Sequence, residues 1–433
     1  MTNYLAIWLV SLVGLSALAA EPASDSPPTT ASAPTDDAAP AEPEAADTAA
    51  ESPPTDSASA PAPVAEPPRT PGTELEEEKS ADGHVSVRRE VILQNGRKIP
   101  HGVETRYYAD GKPRLRRVYQ KGAKHGPWTE WYPDGVKAAE GAYANSMKEG
   151  RETRWFKSGK LSREVDYHHG NKCGVYNEWF TPEVKMIEAN YDSKSQQHGV
   201  LKRWHKNGHP RLERNFSHGV KDGVEKLWYI SGKPQSEANY KDGEFHGAAS
   251  AWYPTGQLRY KREYKAGEPA GKWESWFADG QKEDESEYLD AKPHGHWRRW
   301  VAKPYHLVKD LNFKEGEFSG EQREWWPTGQ LRVHSFYRDG KLHGKIEEWF
   351  EDGKRATLGE FFDGEQHGVV RTWHASGKPR TVEQFWKGRR HGIAVEWDET
   401  GNQLAYKHYR NNEEVKAPTA QSATATPASD STR

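Results

Sequence analysis

The sequence has very little cysteine, little methionine and almost no extended apolar stretch. Cys173 is the only cysteine among 433 residues, which excludes an internal disulfide framework and a cysteine-rich metal site. Mean hydropathy is −1.02, and the one long uncharged apolar run is residues 5–20. No nucleophile–base pair and no glycine-rich phosphate loop stands out. These absences argue against an enzyme, and we expect no catalytic residue, cofactor, metal ion or nucleic-acid partner.

The first twenty residues differ from the rest because they carry no charged side chain. The apolar run from Leu5 is shorter than the roughly 20 residues of a membrane-spanning helix, and it ends in Ala17-Leu18-Ala19-Ala20. We therefore predict a signal peptide over 1–20, cleaved near Ala19 or Ala20, and a periplasmic or secreted protein. No Lys or Arg precedes the run, so an uncleaved anchor stays as the alternative.

Residues 21–80 are rich in proline, alanine and acid. They contain fourteen acidic residues, two basic residues and thirteen of the 28 prolines, with little to bury. This composition predicts a disordered linker over 21–80, either a spacer or an acidic arm that folds back on the rest of the chain. The Ala/Thr/Ser/Pro-rich residues 415–433 predict a disordered tail.

Between these segments the chain repeats itself. One glycine, called here the ruler glycine, recurs every 24 residues, with two steps of 25. A fixed period of this length indicates a tandem-repeat architecture of thirteen copies. The ruler glycines are Gly102, Gly126, Gly150, Gly174, Gly199, Gly223, Gly247, Gly271, Gly295, Gly320, Gly344, Gly368 and Gly392.

Each copy has the composition of a β-hairpin. An aromatic residue follows the ruler glycine by five positions, and turn triplets such as Pro133-Asp134-Gly135 come next. A second aromatic residue and a second turn complete the copy, and glycine supplies the positive φ that tight turns need. The sequence therefore predicts an all-β array over 81–414, with thirteen copies and an N-terminal half-copy at 81–101. We expect an elongated, twisted, largely single-layer antiparallel meander, stabilised between neighbouring copies.

The aromatic residue at the fifth position is nearly always tryptophan. We interpret this row as a structural ladder, consisting of Trp131, Trp155, Trp179, Trp204, Trp228, Trp252, Trp276, Trp300, Trp325, Trp349, Trp373 and Trp397. The next position is often aromatic too, and strand side chains alternate between faces. Packing across the hairpin is the first interpretation of this second row, and a ligand-facing surface is the other: Tyr132, Phe156, Phe180, Tyr229, Tyr253, Phe277, Trp326 and Phe350.

Histidine precedes the ruler glycine in eight copies, and we interpret these histidines as turn residues. Equivalent positions lie two strands apart, about 9.6 Å, whereas zinc binds its ligands at about 2.0–2.1 Å. Two neighbours in this row therefore cannot share one zinc ion. The histidines are His101, His125, His198, His246, His294, His343, His367 and His391.

Two copies lack the turn glycine and carry Glu183 and Pro304 in its place. The Pro304 copy has an extra residue before Phe313, so we expect a wider hairpin loop there. The Glu183 copy has its extra residue between Asp192 and Gln197.

The repeated phrase His-Gly-x-Trp-x-x-Trp-Tyr-x-x-Gly, followed by Tyr-x-x-Gly-x-x-His-Gly, resembles the bacterial variant of the MORN repeat, which occurs in YwqK-type antitoxin proteins. The resemblance covers about residues 91–410. It implies an extended β-hairpin array, a role in protein or membrane-surface interaction, and no catalytic residues. The positions that depart from the histidine of the pattern are Glu149, Cys173, Asp222, Ala270 and Ser319.

The expected function is therefore a non-catalytic extracytoplasmic repeat scaffold that binds a protein partner through its sheet. One alternative is an antitoxin or immunity-type protein that neutralises a toxin. Another is a protein that binds a cell-envelope glycan or a membrane surface through its aromatic rows, since aromatic side chains stack on sugar rings and anchor protein partners.

The ladder interpretation predicts that Trp228→Ala lowers the free energy of unfolding by ~2–4 kcal/mol, because truncating a packed aromatic side chain loses contacts and leaves a cavity. Chemical denaturation of the full chain measures this loss. An unchanged denaturant midpoint would contradict the ladder.

Overall fold

The structure is a computed structural model that describes residues 66–416. The predicted signal peptide, residues 21–65 of the predicted linker and residues 417–433 of the predicted tail lie outside the described residues. Within residues 66–416 every regular element is a β-strand. This part of the chain contains no helix with the length and apolarity to cross a membrane.

The described residues form 31 strands. The strands are β1 (Glu74–Lys79), β2 (Val85–Gln94), β3 (Arg97–Tyr107), β4 (Pro113–Gln120), β5 (Ala123–Trp131), β6 (Lys137–Ala144), β7 (Met147–Trp155), β8 (Leu161–His168), β9 (Asn171–Trp179), β10 (Lys185–Tyr191), β11 (Gly199–Trp204), β12 (Pro210–Ser217), β13 (Val220–Trp228), β14 (Pro234–Lys241), β15 (Glu244–Trp252), β16 (Leu258–Lys265), β17 (Glu268–Trp276), β18 (Lys282–Leu289), β19 (Lys292–Pro293), β20 (Gly295–Ala302), β21 (Tyr305–Lys314), β22 (Glu317–Phe318), β23 (Gly320–Trp325), β24 (Leu331–Arg338), β25 (Lys341–Trp349), β26 (Arg355–Phe362), β27 (Glu365–Trp373), β28 (Pro379–Trp386), β29 (Arg389–Trp397), β30 (Gln403–Arg410) and β31 (Glu413–Val415).

The strands form one antiparallel sheet in which each strand pairs with its neighbours along the chain. The two-residue strands β19 and β22 continue into β20 and β23 after one residue, His294 or Ser319, whose N–H still bonds to the neighbouring strand. Each copy therefore contributes one hairpin, and the predicted all-β array of hairpin repeats is confirmed. Since each hairpin pairs only with the hairpins before and after it, the backbone hydrogen bonds on its outer edges depend on those neighbours.

Two different tight turns connect the strands. In the first, Gly135 (φ 90°) donates its N–H to Tyr132 O, and Tyr132 donates to Val136 O, which is a three-residue loop closed by glycine. The second is a two-residue turn in which both residues have positive φ, for example Asn145 (50°) and Ser146 (69°). This geometry matches strand twist and favours Asn, Asp and Gly.

The ruler glycine lies inside a strand rather than in a turn. Gly126 belongs to β5 and has φ 92°. On one side it pairs with Tyr143, whereas on the other side the register of β4 and β5 shifts between Arg117 and Tyr119. This shift is a β-bulge, a kink that leaves backbone groups unpaired. The interpretation of the preceding histidines as turn residues was therefore wrong, since His125 is part of the same bulged strand.

At several bulges a polar side chain from the previous hairpin pairs with the backbone groups that the bulge exposes. This side chain lies sixteen residues after the ruler glycine of its own copy. It bonds to the residue that follows the ruler glycine of the next copy. Asn215 Nδ2 donates to Val224 O at 2.8 Å, and Asn239 Nδ2 donates to Ala248 O at 2.9 Å. Where this residue is Asp166, its Oδ2 accepts the N–H of Val175 at 3.1 Å.

The histidine before the ruler glycine has a related role. Its Nδ1 accepts the backbone N–H of the first residue of the next copy's two-residue turn, as in His101 with Lys121 at 3.2 Å and His125 with Asn145 at 3.4 Å. The same contact recurs at His198, His246 and His343. In these five copies histidine therefore connects the bulge to the following turn, whereas Nδ1 of His294 and of His367 has no hydrogen-bond partner.

The sheet begins earlier than predicted. Strand β1 lies inside the range 21–80 that was predicted to be a disordered linker, and it pairs with β2. Glu77 lies 2.9 Å from Arg88, and Glu74 lies 3.3 Å from Lys98. The end of the predicted acidic arm thus forms an exposed, highly charged edge strand. At the other end β31 has only three residues. Short or charged edge strands disfavour pairing with further chains.

One irregular copy differs from the prediction, and the other agrees with it. Around Pro304 the loop is not wider: β20 and β21 pair up to Ala302 and Tyr305, so the extra residue lengthens the ladder. In the Glu183 copy the extra residue widens the second turn, where Asp192 donates its N–H to Gln196 O.

The bulge geometry predicts unequal costs for adding a methyl group at two ruler glycines. An added Cβ at Gly223 (φ 103°) lies 3.2 Å from the Asn215 Cβ, whereas one at Gly199 (φ 81°) meets no heavy atom within 4 Å. We expect Gly223→Ala to lower the free energy of unfolding by roughly 1–3 kcal/mol, and Gly199→Ala to lower it by less. Denaturant unfolding measures both variants, and an equal or smaller loss at Gly223 would argue against this packing.

Candidate functional site

The two faces of the sheet have different chemistry. The first, called here the aromatic face, carries stacked rings that run across successive hairpins. Tyr240, Phe245, Tyr264, Trp273 and Tyr288 form a continuous column with ring centroids 4.7–5.0 Å apart. A second column joins Trp297, Phe313, Phe318 and Tyr337 at 4.8–5.8 Å. These distances lie within the range of favourable aromatic pairing, so the columns stabilise contacts between copies.

Some copies replace a ring of this face with a buried glutamate. Glu104 is 2 % exposed and lies 2.7 Å from Arg117 and 3.1 Å from Arg106. Glu152 is similarly enclosed by Lys148 and Arg154. Burial disfavours its charge, but hydrogen bonds from these two cations hold the pKa of Glu152 below its usual range. The aromatic face is therefore occupied by internal packing and ion pairs.

The predicted tryptophan ladder has a different form from direct stacking. Among residues 66–416, none of the ring pairs found joins two of the fifth-position tryptophans. Cations lie over them instead: Arg116 is 5.7 Å from the Trp131 ring, and Lys185 is 5.3 Å from Trp179 and 5.8 Å from Trp204. Lys185 thus links the tryptophans of successive copies by cation–π contacts.

The second aromatic row lies in the first turn, where its side chains are half-buried. Several of them donate hydrogen bonds to the next copy: Tyr132 Oη reaches Trp155 O at 2.8 Å, Tyr229 Oη reaches Trp252 O at 2.7 Å, and Trp326 Nε1 reaches Trp349 O at 3.1 Å. Tyr253 makes the same bond to Trp276 O at 3.0 Å. These contacts favour the packing interpretation over a ligand-facing surface. Phe156, Phe180, Phe277 and Phe350 occupy the same position without a donor.

A shallow pocket adjoins the second row in the first copies. Its volume is about 400 Å³, and Tyr108, Trp131, Tyr132, Arg114 and Glu130 line it. Tyr132 is therefore the member of the predicted ligand-facing set that borders a concave surface.

The opposite face, called here the charged face, carries cross-strand ion pairs through most of the array. Lys226 lies opposite Glu237 at 3.4 Å, and Arg298 lies opposite Glu285 at 3.2 Å. Such pairs are half-exposed and contribute little to stability individually, but they keep this face well solvated.

In the last copies several positions of the charged face become apolar, and the exposed Arg371 lies between Leu358 and Val382. Leu358, Val382 and Tyr406 stand fourteen residues after their ruler glycines, where earlier copies have Arg116, Glu140, Glu164 and Glu237. Phe362 and Trp386 stand eighteen residues after theirs and are 55 % and 52 % exposed. With Leu404 at 63 % exposure, they form a cluster that we call the C-terminal apolar strip: Leu358, Phe362, Val382, Trp386, Leu404 and Tyr406.

Contacts between strands hold the strip together. Val382 pairs with Val395, and Val395 pairs with Tyr406 on the following strand. His343 stacks near Phe362 at 5.0 Å and His367 near Trp386 at 4.6 Å. The strip was not predicted from the sequence, because the repeat was described by the residues that its copies share and not by the positions at which they differ. A comparison of positions fourteen and eighteen across copies would have shown it.

The comparisons with known proteins bear on the repeat. The family described as MORN repeat variant matches seven copies, and each match begins two residues before a ruler glycine. The matched segments are 100–121, 124–145, 148–169, 197–218, 221–242, 245–266 and 318–341. Copies outside these segments, such as those at Gly368 and Gly392, form the same hairpin. Seven of the copies are thus similar in sequence to the MORN repeat variant.

No curated protein matches the chain. Among solved structures, one described as "Crystal Structure of TcdB2-TccC3-Cdc42" is similar with 9% identity and a TM-score of 0.13. The likeness covers 75% of this chain and 21% of that one. A score this low carries no argument about fold or function.

The hydrogen bonds of the second aromatic row predict a stability role. Tyr229→Phe removes the bond to Trp252 O but keeps the ring, so we expect the free energy of unfolding to fall by about 0.5–1.5 kcal/mol. Tyr406→Phe, on the exposed strip, is the matched control and should leave stability unchanged. Denaturant unfolding measures both variants. Equal losses would show that the hydrogen bond from Tyr229 to Trp252 O does not contribute to stability.

Proposed function

We propose that this protein is a non-catalytic extracytoplasmic scaffold that binds a protein partner, and that the C-terminal apolar strip is its docking surface. The proposal rests on the change from charged to apolar side chains at equivalent positions of the charged face. Positions fourteen and eighteen carry charged side chains such as Glu237, Lys241 and Lys265 in earlier copies. The last copies expose Tyr406, Phe362 and Trp386 there, with the exposed Leu404 on the strand of Tyr406. Exposed clustered hydrophobic side chains are costly in water and typical of interaction sites.

The chemistry of the strip indicates the kind of partner. Large rigid aromatic side chains at the centre of a surface are the usual anchors of protein–protein interfaces. Arg380 and Arg410 are exposed on the strands of Val382 and Tyr406, and Arg338 lies 5.8 Å from the Phe362 ring and pairs with Asp363. The partner is therefore a protein that presents apolar side chains with acidic residues around them.

Two other functions use different surfaces or ligands. An antitoxin or immunity-type protein would bind a toxin domain in a one-to-one complex. A glycan or lipid-surface binder would use the aromatic side chains for stacking, and Trp386, Tyr406 and the pocket at Tyr132 are the groups available for it. The identity of the retained material distinguishes these functions.

The test is affinity capture from cell-envelope extract with three forms of the full chain. They are the wild type, Phe362→Ser/Trp386→Ser, and the matched control Lys241→Ser/Lys265→Ser, which changes the equivalent positions of two earlier copies. We expect one protein to be retained in equimolar amount by the wild type and the control, and at least about tenfold less by the strip variant, the loss expected when central aromatic anchors are removed.

Equal retention of that protein by all three forms would contradict the docking surface. Retention of wall glycan or lipid in place of a protein would overturn the protein-binding proposal. If the captured protein is toxic when expressed alone, the scaffold acts as an immunity protein.

A further inference from the structure

One group of potential metal ligands lies on the charged face of the early copies, far along the chain from the apolar strip. It consists of Glu149, which replaces the histidine before a ruler glycine, of His168, the last residue of β8, and of His169, the first residue of the following two-residue turn. One ligand atom from each residue can be chosen so that all three lie within 4.8 Å of one another. Side-chain exposures of 34 %, 59 % and 63 % leave the group open to solvent.

The contacts within this group match the size of a metal-binding site. Glu149 Oε1 lies 2.8 Å from His168 Nδ1, and Glu149 Oε2 lies 3.7 Å from His169 Nδ1. The two imidazole rings are 4.1 Å apart. Tetrahedral zinc with bonds of about 2.0–2.1 Å needs its ligand atoms about 3.4 Å apart, so small rotations of exposed side chains suffice.

The glutamate makes this copy different from the others. In a regular copy the histidine Nδ1 accepts the backbone N–H of the next turn, as His198 does from His218. Glu149 performs the same task with Oε2, which accepts the N–H of His169 at 2.8 Å. Its other oxygen is left for a further contact.

Two histidines of the row that precedes the ruler glycines lie two strands apart, which is too far to share one zinc ion. The present ligands come from non-equivalent positions. Glu149 lies at the bulge, and His168 and His169 lie at the following turn. The hydrogen bond from the His169 N–H to Glu149 brings the two positions together. We propose that Glu149, His168 and His169 form a binding site for a divalent transition metal ion such as Zn²⁺, with solvent completing the coordination. A two-histidine, one-carboxylate set suits this ion.

Cys173, the next residue of the histidine row, is not part of the set. The ligand atoms that lie within 4.8 Å of one another belong to Glu149, His168 and His169. Cobalt substitution should therefore give a spectrum with nitrogen and oxygen ligands and without a sulfur-to-cobalt charge-transfer band.

The experiment titrates the metal-free full chain, prepared without a polyhistidine tag, with Zn²⁺ by calorimetry. We expect one equivalent to bind and to raise the thermal unfolding midpoint, because an ion that binds only the folded state stabilises it. Glu149→Gln, His168→Asn and His169→Asn should each weaken binding by ~10-fold or more. Glu149→Gln keeps an oxygen for the His169 N–H, so its unfolding without zinc shows whether the copy still folds.

His218→Asn is the matched control. His218 forms the neighbouring pair with His198, at 4.5 Å between rings, and lies 2.8 Å from Asp192. We expect its zinc affinity to equal that of the wild type. The proposal is overturned if the three variants bind zinc as the wild type does, if His218→Asn is the variant that loses binding, or if cobalt shows a thiolate band that Cys173→Ser removes.

Discussion

The structure depends on satisfying the backbone at each bulge. The ruler glycine adopts a positive φ inside a strand, and the kink leaves N–H and C=O groups without strand partners. An unpaired buried backbone group is costly, and most copies carry a polar residue at the position of the preceding hairpin that reaches the bulge; the exceptions are Val118, Ala142 and Phe336. Asn215 and Asn239 are two of these polar residues. The histidine beside the glycine extends the same dependence to the next turn. Each copy is therefore complete only when both neighbours are present.

Much of this fold could be predicted from the sequence, because its signals are local. Turn triplets and paired positive-φ residues define hairpins, and the 24-residue spacing defines their number. Strand β1 could not be predicted from its composition, because an acidic segment has low strand propensity. Its place in the sheet comes from Arg88, Arg89 and Lys98 on the adjoining strands. The bulge was missed because histidine and glycine after a turn are equally compatible with a longer loop.

The aromatic rows show the limit of reasoning from a repeat. The sequence indicates tryptophan as the structural ladder because it recurs at the fifth position of nearly every copy. Equivalent tryptophans lie on alternate strands, about 9.6 Å apart, which exceeds the 4.5–7 Å of direct ring pairing. Lysine and arginine occupy the gap, as Lys185 does. Direct stacking needs rings on adjacent strands, and Tyr240 and Phe245, which are paired residues, provide it. The candidate sites were less predictable still, because each arises where single copies depart from the pattern.

The interval between bonded partners has a consequence for the size of the molecule. The tyrosine-to-carbonyl bonds span 23 residues, the histidine contacts 20 and the turn contacts 22. All three join a copy only to the next one. Removing or inserting a whole copy would therefore leave each remaining junction intact, whereas a shift of a few residues must be absorbed in a loop, as it is at Asp192–Gln197. The array thus has a fixed unit but no intrinsic length, and its two end strands alone determine where it stops.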